Sequence, residues 1–439
     1  MNQENTDPMR VLILADVCNP DWPSLPIFGY KFACAIANYT DAVVVTQIRN
    51  KPNIDRDGMG KAEVVYLDTE NIAAPIYKLA TVLRGGEKVS WSLQMAMNYP
   101  SYLAFEWAAW KHFQQDLQKG HFDLVHRITP VSPTLPSPMA KWSPVPFLLG
   151  PINGNLPWPK YFINELNRER EWVNYLRNAY KLMPYYGSTY ARSAGILAAF
   201  DHTIADLPDA VKSKTINFCE LGFDPEQFTP PSRQPQTKMT MLFVGRLVPY
   251  KLPEVVIRAV AASSILRQHK LLIVGEGPER PRLEQIIEEQ NLSECVEFVG
   301  QKSQTEVGEL MRQAEIFAFP SIREVGGGVV VEAMACGMAC VVVDYGGPGS
   351  LVRSDCGIKV PLGDLDHLVE HFTKELEQLV TDRDRVEHLG LAAHHHAMTN
   401  YSWDAKAKMV LEIYNWVTGR QEVKPNFLEQ PNNFVPDPA

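Results

Sequence analysis

Two glutamates and a run of glycines form the most chemically informative pattern of this chain. Glu324 follows a short apolar segment, 316–319, and seven residues separate it from Glu332, with Gly326–Gly328 in between. Glycine lets a ligand approach the backbone because it has no Cβ, and the free amides at a helix start attract phosphate. The pattern predicts a strand, a loop whose glutamate binds a polyol, and a helix whose glutamate binds a second diol. The alternative is a mobile glycine turn beside two solvated glutamates, which the neighbouring motifs disfavour.

Two cations stand beside the end of another apolar segment, 239–244. Gly245 and Arg246 follow this segment directly, and Lys251 comes five residues after Arg246. Arginine offers a planar fork of donors and lysine a point charge, and a helix predicted to begin near Pro253 adds its positive dipole end. This combination predicts a diphosphate site, although two surface cations at a turn would have the same spacing.

The order strand, glycine turn, helix recurs in the same half of the chain. One copy runs from the apolar segment 271–274 into Gly275–Gly277, and another runs from 296–300 into Gln301 and Lys302. Regular alternation of strands and helices at this spacing predicts a doubly wound parallel sheet.

The N-terminal half is predicted to contain the same kinds of element. Strands are expected at 10–15 and 202–205, and a helix is expected at 74–83. The helix predicted over 102–118 carries aromatic side chains at helical spacing, which indicates that they pack a core rather than bind a ligand.

These motifs resemble those of the retaining glycosyltransferases of family 4, the glycosyl transferases group 1. The two glutamates match E-x7-E, residues 245–251 match G-R-x-x-x-x-K, and residues 274–278 match V-G-x-G-P. The stretch 220–230 is similar to the N-G-V-D-x-x-x-F-x-P segment that ends the first domain of the family. The resemblance covers most of the chain and is specific over 239–351. One departure is Leu252, which stands where the family has a glycine after the lysine.

The fold implied by the resemblance is α/β and of the GT-B type. It consists of two Rossmann-like, doubly wound parallel-sheet domains that face each other across a cleft. The predicted parts are an N-terminal acceptor-binding domain (1–230), a linker (231–238), a C-terminal donor-binding domain (239–402), a helix that crosses back (403–422) and a loosely ordered tail (423–439).

The activity implied by the resemblance is transfer of a sugar from a UDP- or GDP-linked donor to a glycan or lipid-linked acceptor, with retention at the anomeric carbon. No cofactor and no metal are expected, because protein cations take the place of the metal. The D-x-D-like runs 364–366 and 382–384 stand at predicted helix starts, where carboxylates serve as caps. Two alternatives stay open: a nucleotide-sugar epimerase or phosphorylase on the same fold, and a non-catalytic nucleotide-binding module. A nicotinamide-linked dehydrogenase is disfavoured, because no G-x-G-x-x-G follows the first predicted strand.

The resemblance also assigns roles to individual residues. Arg246 and Lys251 are expected to stabilise the departing diphosphate, Glu324 to hold the sugar hydroxyls, and Glu332 to hold the ribose diol. The other donor-binding candidates are Gly29, Gly245, Glu276, Gly277, Gln301, Lys302, Gly327, Gly328, Val329 and Val330.

Candidates for acceptor or sugar contacts come from the N-terminal half. His126 stands near the end of a predicted strand, 122–127, and a structural histidine is the equal alternative. Asn153 follows the predicted strand 145–149, where many family members carry a histidine near the donor sugar. Gly29 is expected at a loop–helix junction, with the helix beginning at Tyr30.

Composition limits the classes of partner. The net charge of −9 argues against a general nucleic-acid binder, and seven scattered cysteines without a C-x-x-C pair indicate reduced thiols. The polar start and the lack of an apolar run of roughly 18 residues predict a cytoplasmic protein, with peripheral contact at the inner face of the membrane left open. Residues 160–192 mix aromatic and basic side chains. They predict either a lipid-contacting amphipathic surface or a solvated helical face, and interspersed glutamates favour the latter.

Overall fold

The computed structural model describes residues 8–75, 91–162, 179–231 and 238–427. These residues form two compact units. The first unit contains 8–75, 91–155, 179–220 and 406–427, and the second contains 156–162, 221–231 and 238–405. The structure therefore groups 156–162 and 221–230 with the second unit, although the sequence analysis placed them in the first domain. Residues 232–237 of the predicted linker and 428–439 of the predicted tail lie outside the described residues.

The first unit is built on a sheet of seven parallel strands in the order β3-β2-β1-β4-β5-β6-β7. Its central strands are continuous apolar runs, as expected where helices cover both faces. The strands are β1 (Arg10–Ala15), β2 (Asp41–Gln47), β3 (Glu63–Leu67), β4 (Leu124–Thr129), β5 (Phe147–Ile152), β6 (Gly195–Ala198) and β7 (Thr215–Asn217).

Helices alternate with these strands along the chain. On the longest of them, Tyr102, Phe105 and Phe113 pack into the same core as β1, β2 and β5, which confirms the interpretation of its aromatic spacing. The helices are α1 (Leu25–Ala37), α2 (Lys51–Asp57), α3 (Trp91–Gln118), α4 (Met139–Trp142), α5 (Tyr186–Arg192), α6 (Phe200–Asp206) and α7 (Asp209–Lys212).

Two predictions of local structure in this unit are wrong. Helix α1 begins at Leu25 rather than Tyr30, because Pro26 fits the first turn of a helix, where its missing N–H is not needed. The segment 202–205, predicted as a strand, is part of α6, which buries Phe200 and Thr203 at a spacing of three residues. The strand at this place in the chain is β6, which ends at Ala198.

The second unit is built on six parallel strands in the order β10-β9-β8-β11-β12-β13. The chain first moves outward from β8 to β10 and then returns to the other side of β8 with β11. The loops after β8 and β11 therefore leave the same edge of the sheet from neighbouring strands. The strands are β8 (Thr240–Val244), β9 (Lys270–Val274), β10 (Val296–Gly300), β11 (Ile316–Phe319), β12 (Ala339–Val343) and β13 (Gly357–Val360).

The helices of this unit include two whose starts carry the D-x-D-like runs of the sequence. Asp364 accepts a hydrogen bond from the His367 amide at 2.9 Å, and Asp382 accepts one from the Arg385 amide at 3.0 Å. Both aspartates cap helices, as predicted. The helices are α8 (Pro253–Ala262), α9 (Arg280–Glu289), α10 (Gln304–Gln313), α11 (Gly328–Ala335), α12 (Gly346–Leu351), α13 (Leu365–Thr381) and α14 (Arg383–Tyr401).

The last helix, α15 (Trp403–Val417), belongs mainly to the first unit, which takes the chain from Lys406 onward. Lys406 is fully buried there: its ammonium donates to the Cys219 carbonyl and lies 3.6 Å from the centre of the Phe218 ring. Part of the predicted helix 74–83 and residues 163–178 of the basic–aromatic segment lie outside the described residues. Among the described helices, none is both long and apolar enough to cross a membrane.

Candidate functional site

The candidate site lies at the carboxyl edge of the second sheet, where the strand order reverses. The loop after β8 carries Arg246 and Lys251, and the loop after β11 carries Glu324. Open parallel sheets bind ligands outside the carboxyl ends of the strands at such a reversal, because the two loops diverge there and leave a crevice. The topology therefore brings together residues more than seventy positions apart in the chain.

Lys251 and Glu324 form an ion pair in which the ammonium donates to Oε1 of the carboxylate. Their side chains are 14% and 19% exposed, so the pair is mostly shielded from water but remains reachable by a ligand. The ammonium also lies 5.1 Å from the centre of the Phe319 ring. A Cβ on Gly245 would lie 3.1 Å from Cδ of Lys251, so the glycine makes room for the lysine side chain.

Arg246 stands at the mouth of the same loop and its side chain is exposed. Its carbonyl accepts from the Val248 amide at 3.0 Å, which fixes the turn. Leu252, which replaces the family's glycine, has φ 47° in the left-handed region and is buried. The loop therefore keeps the backbone shape that glycine would adopt freely, and the leucine side chain packs into the core of the unit.

Glycines in the loop after β9 allow this loop to pack closely against the loop after β8. A Cβ on Gly275 would lie 2.0 Å from the Gly245 carbonyl oxygen, and one on Gly277 would lie 2.3 Å from that of Leu247. The Leu247 amide donates to the Glu276 carbonyl at 3.0 Å. The V-G-x-G-P motif thus supports the loop that carries Arg246 and Lys251 by close backbone packing. The Glu276 side chain is exposed and pairs with Arg280.

The second glutamate, Glu332, lies on α11 and accepts a hydrogen bond from Nε2 of Gln304 at 2.9 Å. Burial raises the pKa of Glu332 to about 7, and the Gln304 donor opposes this shift. Helix α11 begins after Gly327, whose φ of 98° is left-handed. The Val330 amide donates to the Gly327 carbonyl at 2.9 Å and is therefore engaged within the turn. The first-turn amides of Gly328 and Val329 have no carbonyl four residues back in the helix.

The remaining donor-binding candidates follow β10. Gln301 is exposed, and Lys302 pairs with Glu306 at 3.3 Å. Glu306 also completes a capping box with Ser303 at the start of α10.

Some residues that shape the site received no role from the sequence. A Cβ on Gly347 would lie 1.7 Å from the Gly326 carbonyl oxygen, and the Gly347 amide donates to the Glu324 carbonyl at 2.9 Å. Gly346 and Gly347, at the start of α12, therefore pack against the loop that carries Glu324 and hold it in place. Their signal in the sequence was a glycine pair directly after a strand, whereas nothing marked Gln304 as the partner of Glu332.

The structure gives His126 a structural role, which contradicts its candidacy for an acceptor contact. The imidazole is fully buried in the middle of β4. Nδ1 accepts from the Tyr414 hydroxyl at 2.7 Å, and Nε2 donates to the Gly150 carbonyl at 2.7 Å. Burial lowers its pKa to about 3, so the ring is neutral and both nitrogens are occupied.

Gly29 and Asn153 also differ from expectation. Gly29 lies inside α1 and not at a loop–helix junction, and a Cβ there would lie 2.3 Å from the Val17 carbonyl oxygen. Its packing against this carbonyl explains the glycine. The Asn153 side chain donates to Glu220 Oε1 at 2.7 Å and accepts from Thr203 at 3.3 Å, so it is part of an internal network of the first unit.

Within the part of the chain that the structure describes, no group of three or more His, Cys, Asp or Glu side chains could hold a metal ion.

Comparison with known proteins identifies the family of the second unit. Residues 224–396, which contain the whole of the site, match the family model for glycosyl transferases group 1. This region belongs to that family. Among curated relatives, the D-inositol 3-phosphate glycosyltransferase of Rhodococcus opacus is 31% identical over 229 residues, which cover 49% of this chain and 46% of that protein. The protein of the same name from Nocardia farcinica is 34% identical over 39% of each chain. The chain thus spans about half the length of the curated relatives it matches.

Solved structures show the fold of both units. The sucrose-phosphate synthase of Thermosynechococcus elongatus matches with a TM-score of 0.60 at 17% identity, covering 94% of this chain and all of that one. Anabaena HepE in complex with UDP and glucose matches with a TM-score of 0.55 at 16% identity, covering 92% and 98%. Together with two all-parallel sheets, these matches confirm the predicted fold: the group 1 glycosyl transferase region is the second Rossmann-like domain of a GT-B protein.

Proposed function

We propose that the protein transfers a sugar from a nucleoside-diphosphate sugar to a hydroxyl group of an acceptor. The observation that carries this proposal is the partly exposed Lys251–Glu324 ion pair beside Arg246, at the strand reversal of the second sheet. A leaving diphosphate needs stabilisation of developing negative charge, and preorganised cations supply it most effectively in a partly shielded site.

The comparisons support a donor of this class. The curated relatives are named D-inositol 3-phosphate glycosyltransferases, and one structural neighbour was solved with UDP and glucose. UDP-linked sugars are therefore the first donors to examine, followed by the GDP-linked sugars that the family resemblance implies. A polyol phosphate joins glycans and lipid-linked sugars among the acceptors.

In the proposed reaction, the bond between the anomeric carbon and the diphosphate oxygen breaks while the acceptor oxygen attacks from the same face. The acceptor proton passes to the departing phosphate oxygen, so no protein base is needed and the configuration is retained. Lys251 and Arg246 hold the diphosphate, and the amides of Gly328 and Val329 add donors at the start of α11. Glu324 accepts from the sugar hydroxyls, and Glu332 accepts from the ribose diol.

Independence from metal ions is part of the proposal, because the two cations supply the positive charge that a divalent metal would otherwise bring to the diphosphate. Full turnover after extensive dialysis against EDTA is expected. Turnover that disappears with EDTA and returns with added Mg²⁺ or Mn²⁺ would contradict this part of the scheme.

A lipid-linked acceptor and peripheral membrane contact are further parts of the proposal. Large apolar side chains are exposed on the first unit, with Trp107 at 56% and Leu182 at 88%. Lys111 lies 5.5 Å from the Trp107 ring centre, so an exposed cation accompanies the aromatic side chain. Sedimentation with vesicles containing anionic lipid, compared with neutral vesicles, measures this contact. If the protein sediments with neither kind of vesicle, membrane contact is removed from the proposal.

The decisive experiment is thermal unfolding of the wild type and Lys251→Ala with UDP, GDP, ADP and CMP. A ligand at about 100 times its dissociation constant should stabilise the wild type by roughly 2.7 kcal/mol. We expect one nucleoside diphosphate to stabilise the wild type and to stabilise Lys251→Ala much less. Lys212→Ala, which removes a lysine paired with Asp209 on α7, is the matched control and should respond like the wild type.

Product analysis completes the assignment. Sugar transfer to an added acceptor supports the transferase, whereas a changed nucleotide sugar without acceptor identifies an epimerase. Transfer of the sugar to inorganic phosphate, or its release as a sugar phosphate, identifies a phosphorylase. Nucleotide binding without any turnover identifies a binding module, and the absence of nucleotide binding would leave the donor site without support.

A further inference from the structure

A short segment of the chain, residues 156–162, lies on the loops of the candidate site; we refer to it as the strap. It follows β5 of the first unit in sequence, but the structure groups it with the second unit. Leu156 is buried, and a Cβ on Gly346 would lie 2.8 Å from its Cδ2 atom. The Pro157 carbonyl accepts a hydrogen bond from the Tyr345 hydroxyl at 2.6 Å. The strap is thus attached to the loop that supports Glu324.

Trp158, which lies on the strap, contacts the loop that carries Lys251 and the loop that carries Glu324. Its ring meets the Tyr250 ring edge to face, with centroids 6.5 Å apart and planes at 88°. The Arg323 guanidinium lies 5.2 Å from the centre of the Trp158 ring. Both arrangements are favourable, since an aromatic edge prefers an aromatic face and a cation is attracted to the electron-rich face of indole.

Both of these contacts of Trp158 are made with residues that directly precede a charged residue of the ion pair in sequence. Tyr250 precedes Lys251, and Arg323 precedes Glu324. The backbone already joins the loops at one point, where the Ile322 amide donates to the Tyr250 carbonyl at 3.0 Å. Trp158 adds a side-chain connection between the same loops, one residue from each charged group.

The strap is well suited to hold a fixed ring. Pro157 and Pro159 flank Trp158, and proline restricts the backbone on both sides of it. Trp158 is partly buried, whereas Tyr161 on the same strap is 63% exposed. The two aromatic residues of one segment therefore differ in their contacts with the second unit.

We propose that Trp158 is a positioning residue that holds the loops of Lys251 and Glu324 in the geometry required for binding a nucleoside-diphosphate sugar. This inference rests on the proposed function for the identity of the ligand. The loop-holding part of it depends only on contacts within the second unit.

Hydrogen–deuterium exchange of the free full-length protein tests the loop-holding part. In Trp158→Ala, peptides that cover 246–252 and 321–327 should exchange about tenfold faster, because one cation–π contact and one aromatic pair are lost. Trp158→Phe keeps an aromatic face and should restore most of the protection. Tyr161→Ala should leave both peptides unchanged, and exchange in β1 and β2 should be equal in all variants. Unchanged exchange of the loop peptides in Trp158→Ala overturns the inference.

Steady-state kinetics and calorimetry with the nucleoside diphosphate that stabilises the wild type test the link to the donor. Trp158→Ala should raise KM for the nucleotide sugar and weaken nucleoside-diphosphate binding about tenfold, with rescue by Trp158→Phe. A merely structural loss would lower the concentration of active protein and leave KM unchanged. Faster loop exchange with unchanged KM and affinity therefore overturns the positioning role.

A milder variant covers the case in which Trp158→Ala does not fold. Tyr345→Phe removes only the hydroxyl that anchors Pro157, and it should shift exchange and KM in the same direction but by a smaller factor. If Tyr345→Phe shifts neither the loop exchange nor KM, the strap does not hold the loops. If the wild type binds no nucleoside diphosphate, the proposed function fails, while the exchange experiment still decides whether Trp158 holds the loops.

Discussion

The two sheets of this protein share a topology but use their carboxyl edges differently. Each sheet reverses its strand order beside its first strand, between β1 and β4 in one unit and between β8 and β11 in the other. In the first unit, Arg127 on β4 is 1% exposed and donates to the carbonyls of Pro130, Ser132 and Leu135. In the second unit, Lys251 and Glu324 are partly exposed and are bonded to each other.

This difference separates structural charges from charges suited to ligand binding. A fully buried guanidinium with three backbone acceptors stabilises a loop, and replacing those acceptors with a ligand would leave buried polar groups unsatisfied. A partly exposed lysine with one carboxylate partner can exchange that partner for a phosphate at much lower cost. The same strand reversal therefore produces a rigid loop in one unit and a candidate anion site in the other.

The largest expected effect is on turnover in the second unit. Lys251→Ala removes a cation that stabilises the leaving diphosphate, so kcat should fall by about 10²–10³, or about 3–4 kcal/mol. Lys212→Ala removes a surface lysine and should keep wild-type turnover. Initial rates at saturating donor measure the effect. A near-normal kcat in Lys251→Ala would show that Lys251 does not belong to the leaving-group site.

The next effect is on the stability of the first unit. Arg127→Met keeps much of the side-chain volume but removes the donors to three buried carbonyls, so the free energy of unfolding should fall by about 3 kcal/mol. The KM of the folded fraction should stay the same. Urea denaturation measures the loss, with the exposed Arg56→Met as the control that should resemble the wild type. Equal stability of Arg127→Met and the wild type would remove the contrast between the two edges.

The third effect is a pH dependence that comes from His126. Burial lowers its pKa to about 3, so the unfolded chain binds a proton below pH 6.5 while the folded protein does not. Its contribution to stability is therefore present above pH 6.5 and is lost as the pH falls towards 3, by about 1.4 kcal/mol per pH unit at most. Denaturation at pH 7 and pH 5 should show a smaller loss for His126→Gln than for the wild type; an equal loss would contradict a neutral buried ring.

The smallest effect has the opposite sign and comes from Glu332 in the second unit. Its pKa is raised to about 7, so between pH 4.5 and 7 the folded protein keeps a proton that the unfolded chain releases. Stability from this group therefore falls as the pH rises through that window. In urea denaturation, Glu332→Gln should gain stability relative to the wild type between pH 5 and pH 8, by at most about 2.5 kcal/mol and by less because the side chain is partly exposed.

Donor affinity tests the same residue independently of stability. The ionised carboxylate is the form that accepts from a ribose diol, so nucleoside-diphosphate binding to the wild type should strengthen as the pH rises through 7. In Glu332→Gln only the dependence that comes from the ligand's own terminal phosphate, whose second pKa is about 6, should remain. Gln304→Ala removes the donor to Glu332 and should move the Glu332-dependent part to higher pH. Calorimetric titrations across pH 6–8 measure the difference, and an equal pH dependence of the wild type and Glu332→Gln would exclude the proposed contact.

Local sequence patterns predicted much of the fold. The continuous apolar runs Arg10–Ala15 and Ile316–Phe319 are strands with the predicted bounds, because a short run buried on both faces fits a parallel sheet. The helix-capping aspartates were also predicted correctly, since a cap involves residues only three positions apart. The start of α1 and the segment 202–205 were wrong, because short mixed segments have no clear period and their neighbours in space decide their structure.

The residues of the candidate site were similarly visible in the sequence, because they lie in compact motifs beside strands and helix starts: Gly245, Arg246, Lys251, Glu324 and Glu332. By itself the sequence determined most of the strands and which loops carry charge. Only the tertiary structure decided which of those charges are free to meet a ligand. His126 is occupied by Tyr414 from 288 residues away, and Trp158 meets Tyr250 and Arg323 from a segment outside the motifs. Such contacts depend on how distant elements pack, and no local pattern of residues encodes that packing.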